Sequence, residues 1–528
     1  MMFNTLGVML DCTRNAVMTV EALKEYMLLL KKMGYNHVQL YTEDTYEVDG
    51  EELFGYNRGR YSQNELKELD DFAYSIGIEL VPCIQTLAHL NATLRWKKYE
   101  DLMERDSILL VGDDKTYEFI EKLISSVRKC FRTDKIHIGM DEAHNLGKGR
   151  YRDIHGETDR TEILMYHLKR VCEITDKYGF KPMIWSDMFY RIANGGEYYG
   201  KNIKFNPEIK KTIPEQLTLV YWDYYHTDKA TYSAMANGHR QLTDKVIFAG
   251  GAWKWSGHAP HNEFAIRTVK AAFPAMIEND IKDVFLTCWG DNGAEASEYS
   301  ILPTLAYAAC LAQGITKLDD IKAKFYEWVG ASYDDFMMLD LPDRVEKSNR
   351  IINPSKYGMY NDCFMGLFDN TFKEDDGKKY ASFARKLAGA AKRNPKYAWL
   401  FDSQAKLCAF MAYKANIGNR TRESYKIGDK DALEALIKDY KKMIKKCEEF
   451  YFAFRNRWYV ENKPHGFDIQ DIRLGGLIMR MKSCLDRLCD YRDGKITNIP
   501  ELEDEVVHMY EGRREFNSWV KTVSTNFI

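Results

Sequence analysis

The chain has 528 residues, 45% of them hydrophobic and 13% aromatic, and a formal net charge of −3. That length suits two or three domains, or one barrel with an appendage. The near-neutral charge gives no electrostatic case for nucleic acid or an anionic membrane as partner.

Eleven scattered cysteines with no CxxC pair read as reduced thiols of a cytoplasmic protein rather than a disulfide framework or a zinc site. No metal and no cofactor is expected. Residues Met1 to Gly7 lack a basic stretch followed by a long apolar one, so no secretory signal is expected. No apolar run approaches the roughly 20 residues of a membrane helix.

In chain order, short apolar runs predict strands over Leu6–Asp11, His37–Tyr41, Glu79–Ile84, Lys135–Gly139, Pro182–Ser186, Leu217–Trp222, Lys245–Ala249 and Asp283–Trp289. Between the early ones, Thr19–Lys32, Asn64–Ile76, Lys115–Cys130 and Thr161–Tyr178 carry helical periodicity, and Gly34 is a natural stop for the first. Eight strands, each followed by helix-compatible sequence, is the count for a (β/α)₈ barrel, a TIM barrel, over residues 1–335. A doubly wound open sheet is the second reading, but no GxGxxG follows any strand. From 336 to 528 the pattern predicts an α-helical C-terminal domain, with helices over Ala381–Lys392, Ala405–Ala415, Asp431–Phe452, Asp468–Arg492 and Leu502–Val520.

In such a barrel the C-terminal strand ends face the active site. The first predicted strand ends in Asp11, with Arg14 close behind; the second ends in Glu43-Asp44, and the third leads to Gln85 and His89. The fourth ends in Asp141-Glu142, the fifth in Trp185-Ser186-Asp187, and the sixth in Trp222-Asp223-Tyr224-Tyr225. The seventh leads into Trp253-Lys254-Trp255, and the eighth ends in Trp289-Gly290-Asp291. Adjacent like charges split their pKa values, so Asp141 and Glu142 offer an acid and an anion at one place. That pairing suits glycosidic bond cleavage, and indole faces suit sugar rings as well as cores.

The segment His137-Ile138-Gly139-Met140-Asp141-Glu142 resembles the fourth-strand motif of glycoside hydrolase family 20, the exo-acting β-N-acetylhexosaminidases. Leu10-Asp11-Cys12-Thr13-Arg14 is similar to the family's first-strand pattern, and Pro82 with His89 to its third-strand pair. Trp185, Trp222 and Trp289-Gly290-Asp291 match in order. The resemblance covers roughly residues 1 to 330 and implies a retaining mechanism in which the substrate's 2-acetamido oxygen is the nucleophile. It makes Glu142 the general acid–base and Asp141 the group that orients the acetamido N–H. It makes Asp44 and His89 a relay tuning the acid, although an ordinary buried Asp–His hydrogen bond is the other reading. Arg14, Trp185, Trp222, Tyr224, Trp253, Trp289 and Asp291 complete the substrate-binding set.

Three departures stand out. The family's Arg before the first-strand Gly is Leu6 here, its final strand-eight Glu is Asp291, and its Tyr after strand seven is replaced by Trp253-Lys254-Trp255-Ser256. Tyr224 or Tyr225 is then expected to polarise the acetamido carbonyl. The accessory domain that often precedes the barrel is also not expected, since the first strand begins near residue 5.

The leading expectation is removal of terminal β-linked N-acetylhexosamine from an oligosaccharide or glycoconjugate, by a monomer or a homodimer. A disaccharide-releasing enzyme on the same scaffold and a non-catalytic sugar-binding barrel are the alternatives; the second has no need for Asp141 and Glu142 together. Finally, Arg457 to Asp468 is read as a loop, marked by Pro464 and Gly466 with Asp468 as a cap. It is either an ordinary interhelical connection or a segment that supplies the sugar contact missing at Leu6.

Overall fold

The computed structural model describes residues 1–200 and 203–526. Its contacts group into two compact units. The first holds Met1–Ala252, Ala265–Trp289 and Thr304–Lys324; the second holds Trp253–Phe264, Gly290–Pro303 and Phe325–Ile528. This differs from a single cut at residue 335, because two segments that follow barrel strands cluster with the C-terminal helices.

The first unit is a closed parallel barrel. Its strands are β1 (Thr5–Asp11), β2 (His37–Tyr41), β3 (Glu79–Cys83), β4 (Lys135–His137), β5 (Lys181–Trp185), β6 (Thr218–Trp222), β7 (Val246–Gly251) and β8 (Asp283–Cys288). Each pairs with its neighbours in sequence, and β1 closes on β8 with Leu6 opposite Val284. Parallel strands covered on both faces read as continuous apolar runs, and β2 is buried along its whole length. All eight predicted strands are present, with ends shifted by a residue or two.

Helices start where side chains can satisfy their first N–H groups. Thr19 caps Val20–Met33, whose end is the left-handed Gly34, and Ser62 forms a capping box with Glu65 at the head of Gln63–Ser75. Asp113, Asp159 and Asp228 cap the helices after β3, β4 and β6.

The informative departure is at β4, predicted to run to Gly139 but ending at His137. Gly139 and Met140 both adopt positive φ, 70° and 71°. The ladder cannot continue through two left-handed residues, so the chain turns out of the sheet and presents Asp141 and Glu142. A Cβ at Gly139 would stand 2.1 Å from Gln85 Oε1, so only glycine fits the turn.

The second unit is helical, built on Asp376–Arg393, Ala398–Lys414, Lys430–Glu461 and Phe467–Arg492. Two expectations fail here. The predicted helix Leu502–Val520 reduces to short turns at Pro500–Glu503 and Trp519–Thr522. Between them Val507 is 79% exposed, so no apolar stripe drives a helix. Arg514 instead fixes the segment, donating to the Thr371 carbonyl and pairing with Asp376 and Glu346.

The expected loop at Arg457 is helix as far as Glu461, and only Asn462–Gly466 connects to the next one. Trp458 and Arg457 are fully buried. Trp458 packs against Phe454 and Phe467, and Arg457 donates to the Glu295 carbonyl. These are core contacts and leave the side chains no surface on which to meet a sugar. Leu6 is no vacancy either: it is buried near the N-terminal end of β1, away from the strand's C-terminal end.

Candidate active site

Side chains from the ends of the first five strands make one connected network in the barrel unit. Arg14 Nη1, just after β1, donates to both Glu43 oxygens at 2.8 and 2.9 Å. The Tyr41 hydroxyl at the end of β2 donates to Glu43 Oε1 at 2.9 Å and accepts from Gln85 Nε2 at 2.9 Å. Gln85 Nε2 also donates to Asp141 Oδ1 at 2.8 Å, while its Oε1 accepts from the Met140 N–H. His89 Nε2 then stands 3.1 Å from Asp141 Oδ2 and 3.6 Å from Glu142 Oε2.

Backbone strain collects at the same place. Glu43, His89, Met140 and Glu142 all carry positive φ, which costs an ordinary residue of order 1–3 kcal/mol and persists where surroundings enforce it. At Glu142 the enforcement is visible: its N–H donates to Asp187 Oδ2 at 3.1 Å, the oxygen that also accepts from Arg191 Nε at 3.1 Å.

The electrostatics separate the carboxyls by role. Burial pushes Asp141 up, but the His89 charge and the His89 and Gln85 hydrogen bonds outweigh it, and the net direction is down. Asp141 is therefore an anion. Burial disfavours a charged His89, yet Asp141 and Glu43 lift it to about 9. Asp187, fully buried and facing the Asp141 charge, rises to about 7. Asp141 and Asp187 are thus moved in opposite directions. The Glu142 side chain is 42% exposed, whereas that of Asp187 is wholly buried. Glu43 is raised by burial against the pull of Arg14. Burial also drives His137 down to about 3, leaving it a neutral acceptor for the Gly139 N–H.

Aromatic rings line the neighbouring strand ends. Trp289 meets Tyr41 edge-on at 4.8 Å and Trp185 at 6.0 Å. Trp222 stacks on Tyr224 at 5.3 Å and 20°. Tyr224 is buried, with Trp289 and Thr287 hydrogen-bonding its hydroxyl, whereas Tyr225 is 49% exposed. Trp185 is enclosed between His137 and Phe285, so it backs the wall more than it faces outward. Among the described residues, no group of three or more His, Cys, Asp or Glu side chains could hold a metal ion.

Residues 6–271 match the family model described as the glycosyl hydrolase family 20 catalytic domain, and residues 334–520 match that of the glycoside hydrolase 20C C-terminal domain. The chain belongs to glycosyl hydrolase family 20. Among curated proteins it is similar to human Hexosaminidase D, 23% identical over 39% of this chain and 42% of that one. It is also similar to bovine Hexosaminidase D, 22% identical over 45% of this chain and 66% of that one. The matched region thus spans less than two thirds of either relative. A solved family 20 exo-β-N-acetylglucosaminidase from Vibrio harveyi, in complex with N-acetylglucosamine, is 18% identical. It covers 64% of this chain and 58% of its own, with a TM-score of 0.48, too distant a likeness to assign a role to any residue.

Of the site residues read from the sequence of this family 20 chain, Asp141, Glu142, His89 and Arg14 enter the network, with Trp185, Trp222, Tyr224 and Trp289 beside it. Asp44 does not pair with His89. Its Oδ1 accepts from Arg58 Nε at 2.9 Å and its Oδ2 is buried with no hydrogen-bond partner among the described residues. The expected Asp–His relay is therefore replaced by an Asp141–His89–Glu142 contact. Trp253 and Asp291 belong to the second unit, where Trp253 stacks on Trp255 at 4.1 Å. Sequence reasoning places Glu43, Gln85 and Asp187 at strand ends without giving them a role, and it leaves out Tyr41 and Arg191. Only contacts reveal that these residues form one network.

Proposed function

We propose that this chain is a β-N-acetylhexosaminidase that removes terminal β-linked N-acetylhexosamine by a retaining, substrate-assisted route. The observation that carries the reading is the anionic Asp141 beside a half-exposed Glu142, both within 3.6 Å of one His89 nitrogen. Family membership and the hexosaminidase names of its relatives support it.

In the first step the acetamido carbonyl oxygen attacks C1, and the bond from C1 to the leaving oxygen breaks. Glu142 gives its proton to that oxygen. Asp141 accepts the acetamido N–H, which aims the carbonyl and offsets the positive charge of the oxazolinium. In the second step water attacks C1, Glu142 takes the water proton, and the bond from C1 to the acetamido oxygen breaks. Because Asp141 is already ionised and held by Gln85 and His89, little reorganisation is required as charge develops.

Trp185, Trp222, Tyr224 and Trp289 form the proposed wall for the sugar and its acetamido group. Tyr224 is the better-placed of the two tyrosines to polarise the carbonyl, since its hydroxyl is held while Tyr225 turns outward. The substrate class is a free oligosaccharide or glycoconjugate fragment, and eleven scattered cysteines with no CxxC pair support a reducing compartment.

The test is side-by-side hydrolysis of aryl β-N-acetylglucosaminide, β-N-acetylgalactosaminide and β-glucoside. Turnover of either acetamido sugar, with none of the glucoside, is expected. Efficient glucoside cleavage, or a trapped covalent ester between enzyme and sugar, would overturn the mechanism.

A further inference from the structure

Asp187 puts one of its two oxygens to double use. Oδ2 accepts from the Glu142 N–H and from Arg191 Nε, both at 3.1 Å, while Oδ1 is buried with no hydrogen-bond partner among the described residues. Asp187 opens the short helix Asp187–Ala193, so Arg191 lies one turn on, where i and i+4 side chains meet. Arg191 then extends past Asp187, and its Nη2 comes within 3.8 Å of Glu142 Oε1. Its other amino group donates to the Gly196 carbonyl at 3.1 Å, which fixes the guanidinium from the far side.

Glu142 needs such support. Its backbone sits at φ 52°, a conformation a glutamate does not adopt unaided, and its side chain is the most exposed carboxyl in the network. The N–H to Asp187 contact fixes where the side chain starts, and the Arg191 contact bears on where it ends.

We propose that Asp187 and Arg191 are positioning residues for Glu142, holding its strained backbone and steering its carboxyl to the leaving oxygen. The inference rests on the hexosaminidase reading and extends it to residues that touch no substrate. Asp141 from the end of β4 and Tyr198, beyond the Asp187–Ala193 helix, also face Asp187. Burial first, and then the Asp141 charge, disfavour a charge on Asp187, so it works as a hydrogen-bond acceptor more than as a permanent anion.

The test uses the full chain and substrates of two kinds, one with an activated aryl leaving group and one with a sugar leaving group. Asp187→Ala removes the acceptor, and Asp187→Asn keeps one oxygen for the Glu142 N–H. A misplaced acid should cost Asp187→Ala about 10²-fold in kcat on the sugar leaving group, with KM little changed. The loss on the aryl substrate should be much smaller, and Asp187→Asn should recover most of the activity. Affinity for a thiazoline that mimics the cyclised intermediate should stay close to wild type, because Asp141 is untouched.

Wild-type kcat in a folded Asp187→Ala protein would overturn the proposal, and so would equal losses on both substrates together with lost thiazoline binding. Should Asp187→Ala not fold, Arg191→Gln carries the test, with the same leaving-group signature expected and wild-type kinetics overturning it. Wild-type protein that cleaves no acetamido sugar would instead refute the hexosaminidase reading itself.

Discussion

His89 Nε2 lies 3.1 Å from Asp141 Oδ2, and each group holds the other in its charged form. His89 is raised from 6.5 to about 9, and Asp141 is lowered from 3.8. The histidine's contribution to stability is complete below about pH 6.5 and is lost as pH rises through about 9. The aspartate's contribution is present above its ordinary value and is lost as pH falls. Wild type should therefore lose up to about 3 kcal/mol of unfolding free energy between pH 6.5 and 9.5 that His89→Gln does not lose. Denaturant unfolding of both proteins across that range checks this, and parallel pH slopes would refute it.

Glu142→Gln should lose far more activity on sugar leaving groups than on activated aryl glycosides. A leaving group that departs without a proton bypasses the missing acid in the first step, and acid–base help is worth ~10²–10⁴-fold. Steady-state kinetics on both substrate types gives the ratio. Equal losses would remove Glu142 from the acid role.

Asp141→Asn keeps the shape and removes the charge that offsets the oxazolinium. A kcat drop of about 10²-fold or more is expected. Thiazoline affinity should weaken in step, since that ligand mimics the charged intermediate. The substitution should also let the His89 pKa fall, because Asp141 is the main group raising it. Imidazole titration by NMR reads that shift, and a His89 still near 9 would show that another anion sustains it.

The strand-end pattern was legible because barrel geometry sends those residues to one face, and because Asp141, Glu142 and the tryptophans carry chemistry in their identity. Partner choice was not legible. Asp44 finds Arg58 from a loop fourteen residues further along the chain, and nothing in the sequence of either residue announces it. The left-handed turn at Gly139 and Met140 was hidden for a related reason: a β-branched run looks like strand until Gln85 is known to occupy the space a Cβ would need. In the helical unit, Pro464 and Gly466 make the whole stretch from Arg457 read as a loop, yet Arg457 and Glu461 lie in the helix before it. They are buried within it and bonded to Glu295 and Ser297. Charge at a helix position signals solvent only when no buried backbone or counter-charge is waiting for it.

That burial carries the last prediction. Within the second unit Lys356 Nζ stands 2.6 Å from Glu295 Oε2, and both side chains are almost wholly enclosed. Burial opposes the Glu295 charge, yet Lys356, His258 and Arg473 together hold its carboxyl down at about 2. Lys356→Met leaves that carboxylate without its nearest cation, and removing one partner of a buried pair typically costs about 3–5 kcal/mol. Replacing both, as Lys356→Met with Glu295→Gln, removes the stranded charge and should recover a large part of the loss. Arg473 retains the Asn292 carbonyl, to which its Nη1 donates at 2.6 Å, so it is not left without a partner in the double variant. Chemical unfolding of the two single variants and the double gives the coupling energy directly. A double variant as unstable as the sum of its singles would show that the two charges act independently, and that Arg473 and His258 already satisfy Glu295.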